Sequence, residues 1–137
     1  MKRSFILLTF VFACLSLHAQ GPASPEEMQQ QLYEAIDKEI ENNTNLLKLE
    51  DWQIFMIDST LTHDLTAMHS ELMALSTAKV SNSNAYISVQ DKWSEAIYQS
   101  YMKILTPAQQ AKYLKSGAGR AKKARDKRAE ANEKKKK

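Results

Sequence analysis

The sequence predicts an all-α fold: an antiparallel hairpin of two long helices, an extra helix before it, and a restarted helix after Thr106-Pro107. Three observations carry this reading. Apolar residues recur at gaps of three and four over most of residues 24–116, and no stretch alternates with period two for long enough to form a strand. No glycine occurs between Gly21 and Gly117. Helix-start signals stand at three places along the chain.

The first start is Ser24-Pro25-Glu26-Glu27. Ser24 caps, Pro25 suits the first helical position, and Glu27 completes a capping box. Met28, Leu32, Ile36 and Ile40 then form one stripe, widened by Tyr33. The run Glu41-Asn42-Asn43-Thr44-Asn45 is expected to weaken this helix near Asn43, because Asn and Thr side chains compete for backbone hydrogen bonds.

A second helix is expected from about Asp51 to about Lys79. Its seam is Ile54, Ile57, Leu61, Leu65, Met68, Leu72 and Leu75, close to coiled-coil spacing. Trp52, Phe55, Met56 and Met73 lie off that line. Ser81-Asn82-Ser83-Asn84 is a short polar turn, so the third helix should fold back antiparallel. The third stripe is Tyr86, Val89, Trp93, Ile97, Tyr101 and Ile104.

Leu105-Thr106-Pro107-Ala108-Gln109 ends that helix and starts another. Thr106 is the cap, Pro107 takes the position where a missing N–H costs nothing, and Gln109 reaches back as the third helical residue. Leu49-Glu50-Asp51-Trp52-Gln53 repeats the Leu and Gln spacing upstream, with Glu50, a poorer cap, in place of Thr.

The ends of the chain differ from its body. Residues 1–20 carry Lys2 and Arg3, an apolar run from Phe5 to Leu17, and a small residue at Ala19, which reads as a secretory signal peptide. The apolar run is short for an uncleaved anchor. Lipidation at Cys14 is the other alternative, and Cys14 lacks the usual Leu and small residue further back. Cys14 is the only cysteine, so cleavage would leave a chain without disulfides, thiolate metal sites or a Cys nucleophile. Residues 20–111 hold five basic side chains against thirteen acids, net −8, whereas residues 112–137 hold twelve against three, net +9. Residues 24–116 are therefore read as one helical domain. Residues 117–137 are read as a basic Ala/Lys-rich tail behind a glycine joint, flexible or loosely helical and not packed. Arg120, Lys122, Lys123, Arg125, Lys127 and Arg128 are its candidate anion-binding residues.

Catalysis finds no support in these residues. His63 and His69 are six apart and fall on different helix faces, so they do not form a metal pair. No nucleophile elbow or Gly-rich phosphate loop is present. No enzyme activity and no cofactor are expected. The Met and aromatic stripes have two readings. They are helix core, or they form an adaptable surface in which Met56, Met68, Met73 and Met102 accept many shapes. Phe55, Leu61, Leu65, Met68, Leu72, Trp93, Ile97 and Tyr101 are the candidate dimer or client surface.

The two Leu-x-x-x-Gln boxes, "LKLEDWQ" at 47–53 and "ILTPAQQAKY" at 104–113, separated by a long helix, a turn and another long helix, resemble the Spy/CpxP (LTxxQ) periplasmic proteins. The resemblance covers roughly residues 47–116, with Leu49, Gln53, Leu105, Thr106, Pro107 and Gln109 as motif positions. It implies a thin, curved helical homodimer in the periplasm, acting in envelope stress. The implied role is an ATP-independent chaperone for unfolded or partly folded envelope proteins, or an adaptor for a specific envelope partner such as a sensor kinase. Glu50, the long first helix and the confinement of basic charge to the tail depart from that pattern. Some relatives bind zinc, but no His or Cys cluster here would carry that over. A third reading is a polyanion-binding protein acting through the tail, with an anionic membrane surface as partner and nucleic acid not expected.

Overall fold

The computed structural model describes residues 24–134; the signal-peptide reading of residues 1–20 lies outside them. The described residues form helices α1 (Pro25–Leu47), α2 (Asp51–Thr77), α3 (Ser83–Ile104), α4 (Pro107–Tyr113) and α5 (Gly119–Lys134), with a π-helical turn at Leu114–Ala118 between the last two. No strand occurs among them, and the all-α class is as the periodicity requires.

Each start works as its residues dictate. Ser24 Oγ accepts from the Glu27 N–H while the Glu27 carboxylate accepts from the Ser24 N–H. Thr106 and Gln109 make the same reciprocal pair at α4. Asn82 caps α3 by accepting from the Asn84 N–H, so Ser83 and Asn84 belong to the helix rather than to the turn.

One expectation about α1 is corrected. The helix does not weaken at Asn43 but continues to Leu47, and Lys48 ends it in the left-handed region at φ 55°. Asn43 is fully buried, and its amide donates to Glu39 and to the Tyr101 hydroxyl on α3. The side chain is thus bound across the helices and does not compete with its own backbone.

α2 and α3 run antiparallel, as the ion pair Lys92–Glu71 near the turn and the Gln53–Ile104 hydrogen bond at the far end require. The core gathers at that far end. Ile36 and Leu47 of α1, Leu49, Ile57 and Leu61 of α2 and its lead-in, and Tyr101 and Leu105 of α3 and its exit make one buried cluster. Tyr113 of α4 stacks on Tyr101 at 4.9 Å between ring centroids. Towards the turn the seam is less covered, and Leu72, Leu75 and Val89 are half-buried.

The reading of the tail as unpacked is also corrected. Gly117, at φ 125°, turns the chain back where a side chain would be strained, and α5 then lies antiparallel along α3. The reason is charge, not apolar area. Arg125 is 8% exposed and reaches Glu95 at 3.2 Å, and Arg128 makes a two-point contact with Asp91 at 2.6 and 2.7 Å.

Candidate functional site

The two motif glutamines, 56 positions apart, meet face to face. Gln53 Nε2 donates to Gln109 Oε1 at 2.7 Å, and Gln109 Nε2 donates to Gln53 Oε1 at 3.0 Å. Each oxygen also accepts from the N–H of its own cap residue, Glu50 or Thr106. Each amide nitrogen reaches across to the helix end beside the other motif. Gln53 donates to the Ile104 carbonyl, and Gln109 donates over longer distances to the Leu47 and Lys48 carbonyls. One pair of side chains therefore binds backbone groups at two helix starts and two helix ends. Sequence spacing gave both residues a local capping role. It did not give their pairing, for which the repeated Leu/Gln motif was the available signal.

This polar knot holds the first turn of α2 in a fixed direction. Gln53 is fully buried on the inner face. On the outer face stand Trp52, Phe55 and Met56, at 54%, 70% and 45% exposure, with spacings of three and four that put them on one side of the helix. The Trp52 indole N–H is tied to the Glu50 carboxylate at 2.7 Å, which orients that ring. These are three large apolar side chains outside the core, on a helix end that cannot easily fray.

The remaining candidates separate into groups. Leu61, Met68 and Tyr101 are buried within the single chain; they are core, which corrects their assignment to an outer dimer or client surface. Leu65, Leu72, Trp93 and Ile97 are half-buried along the hairpin seam. Trp93 meets His63 edge-on at 6.1 Å, and His63 Nδ1 lies 2.7 Å from the Asp64 carboxylate. Leu49 and Leu105, the motif leucines, are buried beside the knot, while Thr106 and Pro107 are exposed.

In the tail, Lys122, Arg125 and Arg128 face acids, and Arg120, Lys123, Lys127 and Arg128 are exposed. Lys122 and Arg125 also flank the Tyr98 ring, each charge 5.7 Å from its centroid. Burial raises the Glu95 carboxyl, but hydrogen bonds from Gln99 and Arg125 and the charges of Lys122 and Arg125 outweigh it, so Glu95 titrates below the usual glutamate range. At the base, burial raises Glu39 and Asn43 only partly offsets it. Burial also lifts the Tyr101 and Tyr113 hydroxyls above the usual tyrosine range, so both stay neutral, and that of Tyr101 accepts from Asn43.

Among the described residues no three His, Cys, Asp or Glu side chains gather as metal ligands, and no described helix is long and apolar enough to cross a membrane. No family model matches this chain, no curated protein matches it, and no solved structure matches it.

Proposed function

We propose that the protein is an ATP-independent holdase of the cell envelope, binding apolar segments of unfolded or partly folded proteins. The observation that carries this reading is the exposed Trp52–Phe55–Met56 face, braced from behind by the Gln53–Gln109 pair. A rigid, amphipathic aromatic edge binds apolar peptide with little ordering cost, and the Met thioether adapts to varied shapes. Leu46 and Tyr33 of α1 and Met73 of α2 add further exposed apolar area. The resemblance of the two Leu/Gln boxes to the Spy/CpxP proteins points the same way, and with it come periplasmic location, a role in envelope stress, lack of catalytic activity and homodimerisation.

The same face suits a second reading, an adaptor that docks on one specific envelope partner such as a sensor kinase. Aggregation of an unrelated denatured client, followed by light scattering, separates the two. The chaperone reading expects protection at near-stoichiometric ratio. It also expects Trp52→Ser/Phe55→Ser to lose most of that protection while the melting temperature stays within a few degrees, because both side chains lie outside the core. Wild-type protein that protects nothing would leave the adaptor. Unchanged protection by the double variant would move the client surface elsewhere.

A further inference from the structure

α5 has no apolar side chain larger than Ala, and its four alanines cannot bury enough surface to hold sixteen residues in place. Yet it is seated. Lys122 lies by Glu95 and Tyr98, Arg125 by Glu95, and Arg128 by Asp91, with α5 numbers rising as α3 numbers fall. The basic spacing of three and the acidic spacing of four each keep their groups on one helix face. The Arg128–Asp91 contact is bidentate, and both Arg125 nitrogens meet one Glu95 oxygen. A guanidinium fork is equally suited to a phosphate oxygen pair, and it cannot serve both partners at once.

We propose that α5 is an electrostatic latch with two mutually exclusive seats: the acidic stripe Asp91–Glu95 of α3, and the phosphate-bearing surface of an anionic bilayer. The π-helical turn with Gly117 in the left-handed region is the pivot, and it lets α5 leave without disturbing the buried cluster around Ile57 and Tyr101. In the closed state α3 acts as an internal anion that competes with lipid. In the open state Lys122, Arg125 and Arg128 on one face add to the exposed Lys123 and Lys127 on the other, so the freed helix is basic around its girth and a lipid surface recognises it by charge alone. Lys122–Glu95 and Arg128–Asp91 are partly open to solvent and individually weak, and Glu95 keeps a third of its surface in water beside the buried Arg125, so the closed state is favoured by a modest factor and the latch is reversible. This inference stands apart from the client face on α2.

The test uses the purified protein and two charge-matched double variants. Asp91→Asn/Glu95→Gln removes the internal seat; Asp37→Asn/Glu41→Gln removes two exposed carboxylates of α1 and serves as control. Two readouts are followed at low salt: cosedimentation with phosphatidylglycerol or phosphatidylcholine vesicles, and hydrogen exchange of the α5 amides. The seat variant should exchange faster across α5 and bind phosphatidylglycerol about three- to tenfold more tightly than the parent, with no gain on phosphatidylcholine. The control should show neither change beyond a small general charge effect. In the parent, about 0.5 M NaCl should speed α5 exchange and abolish vesicle binding together. Equal gains in the two variants would assign the effect to net charge and overturn the latch. Unchanged α5 exchange in the seat variant would show that the acids do not hold the helix. Faster exchange with no preference for phosphatidylglycerol would remove the bilayer as the second seat.

Discussion

The two junctions that follow α3 are built from opposite materials. At Thr106–Pro107 the chain is redirected beside the buried core, and the redirection is fixed by two uncharged glutamines whose polar atoms are all spoken for. At Gly117 the chain is redirected again, and what holds the returning helix is charge, in ion pairs that solvent partly reaches. Neutral buried hydrogen bonds are costly to break because a lone partner is left without water. Surface ion pairs are cheap to break because water and salt replace them. The first junction is therefore scaffold and the second can move.

The largest effect should come from the knot. Gln53→Leu keeps the volume but leaves Gln109 and the Glu50 N–H without their partner, and should cost about 3 kcal/mol of unfolding free energy in urea titrations. Gln53→Leu/Gln109→Leu should cost less than the sum of the singles, because apolar groups replace both partners together. Additive losses would mean that the two glutamines act separately as caps, and the contrast between junctions would shrink to ordinary capping.

A smaller effect is expected at Thr106, which is exposed and serves only the Gln109 N–H, at a long 3.4 Å. Thr106→Ala should cost about 1 kcal/mol or less in the same titration. A loss as large as that of Gln53→Leu would place the weight of the junction on the threonine rather than on the knot.

Much of the base was legible in sequence and little of the latch was. The Ile57–Leu61–Leu65–Met68 seam and the capping residues Ser24 and Thr106 sit in local patterns that helix physics reads directly, whereas Ser81–Asn84 reads as a turn and hides the Asn82 cap. Gln53–Gln109 and Asn43–Tyr101 join positions 56 and 58 apart, and no local rule pairs them. Asn43 even argued the wrong way, since a helix-weakening residue becomes an anchor once a hydroxyl faces it. The basic tail was read from its lack of apolar residues, which is sound for an isolated segment. What escaped that reading was Asp91 and Glu95, the two acids of α3, within reach of Lys122, Arg125 and Arg128.

The smallest effect, and the most discriminating, is the response to acid, because the two regions carry carboxyls shifted in opposite directions. Glu39 at the base titrates above the usual glutamate range, raised by burial that the hydrogen bond from Asn43 only partly offsets. Its protonated form is the one the fold prefers, so its contribution is lost as pH rises through the raised value and returns as pH falls. Glu95 titrates below 4.5, burial being outweighed by Gln99, Arg125 and Lys122. Its ionised form is the one the fold prefers, so its contribution is present above the unfolded value and lost as pH falls through the lowered one. Acidification from neutral pH to below the lowered Glu95 value should thus relieve the base first and loosen the latch afterwards. Amide chemical shifts from nuclear magnetic resonance can follow both at once. Residues 36–47 should titrate at the higher pH and keep native-like dispersion, and residues 120–134 should drift later towards positions of an undocked helix. Glu95→Gln should place residues 120–134 near the undocked positions already at neutral pH and leave residues 36–47 unmoved. If both regions instead change in one step at a single pH, α5 is part of the same cooperative unit as the core, and the distinction between scaffold and latch does not hold.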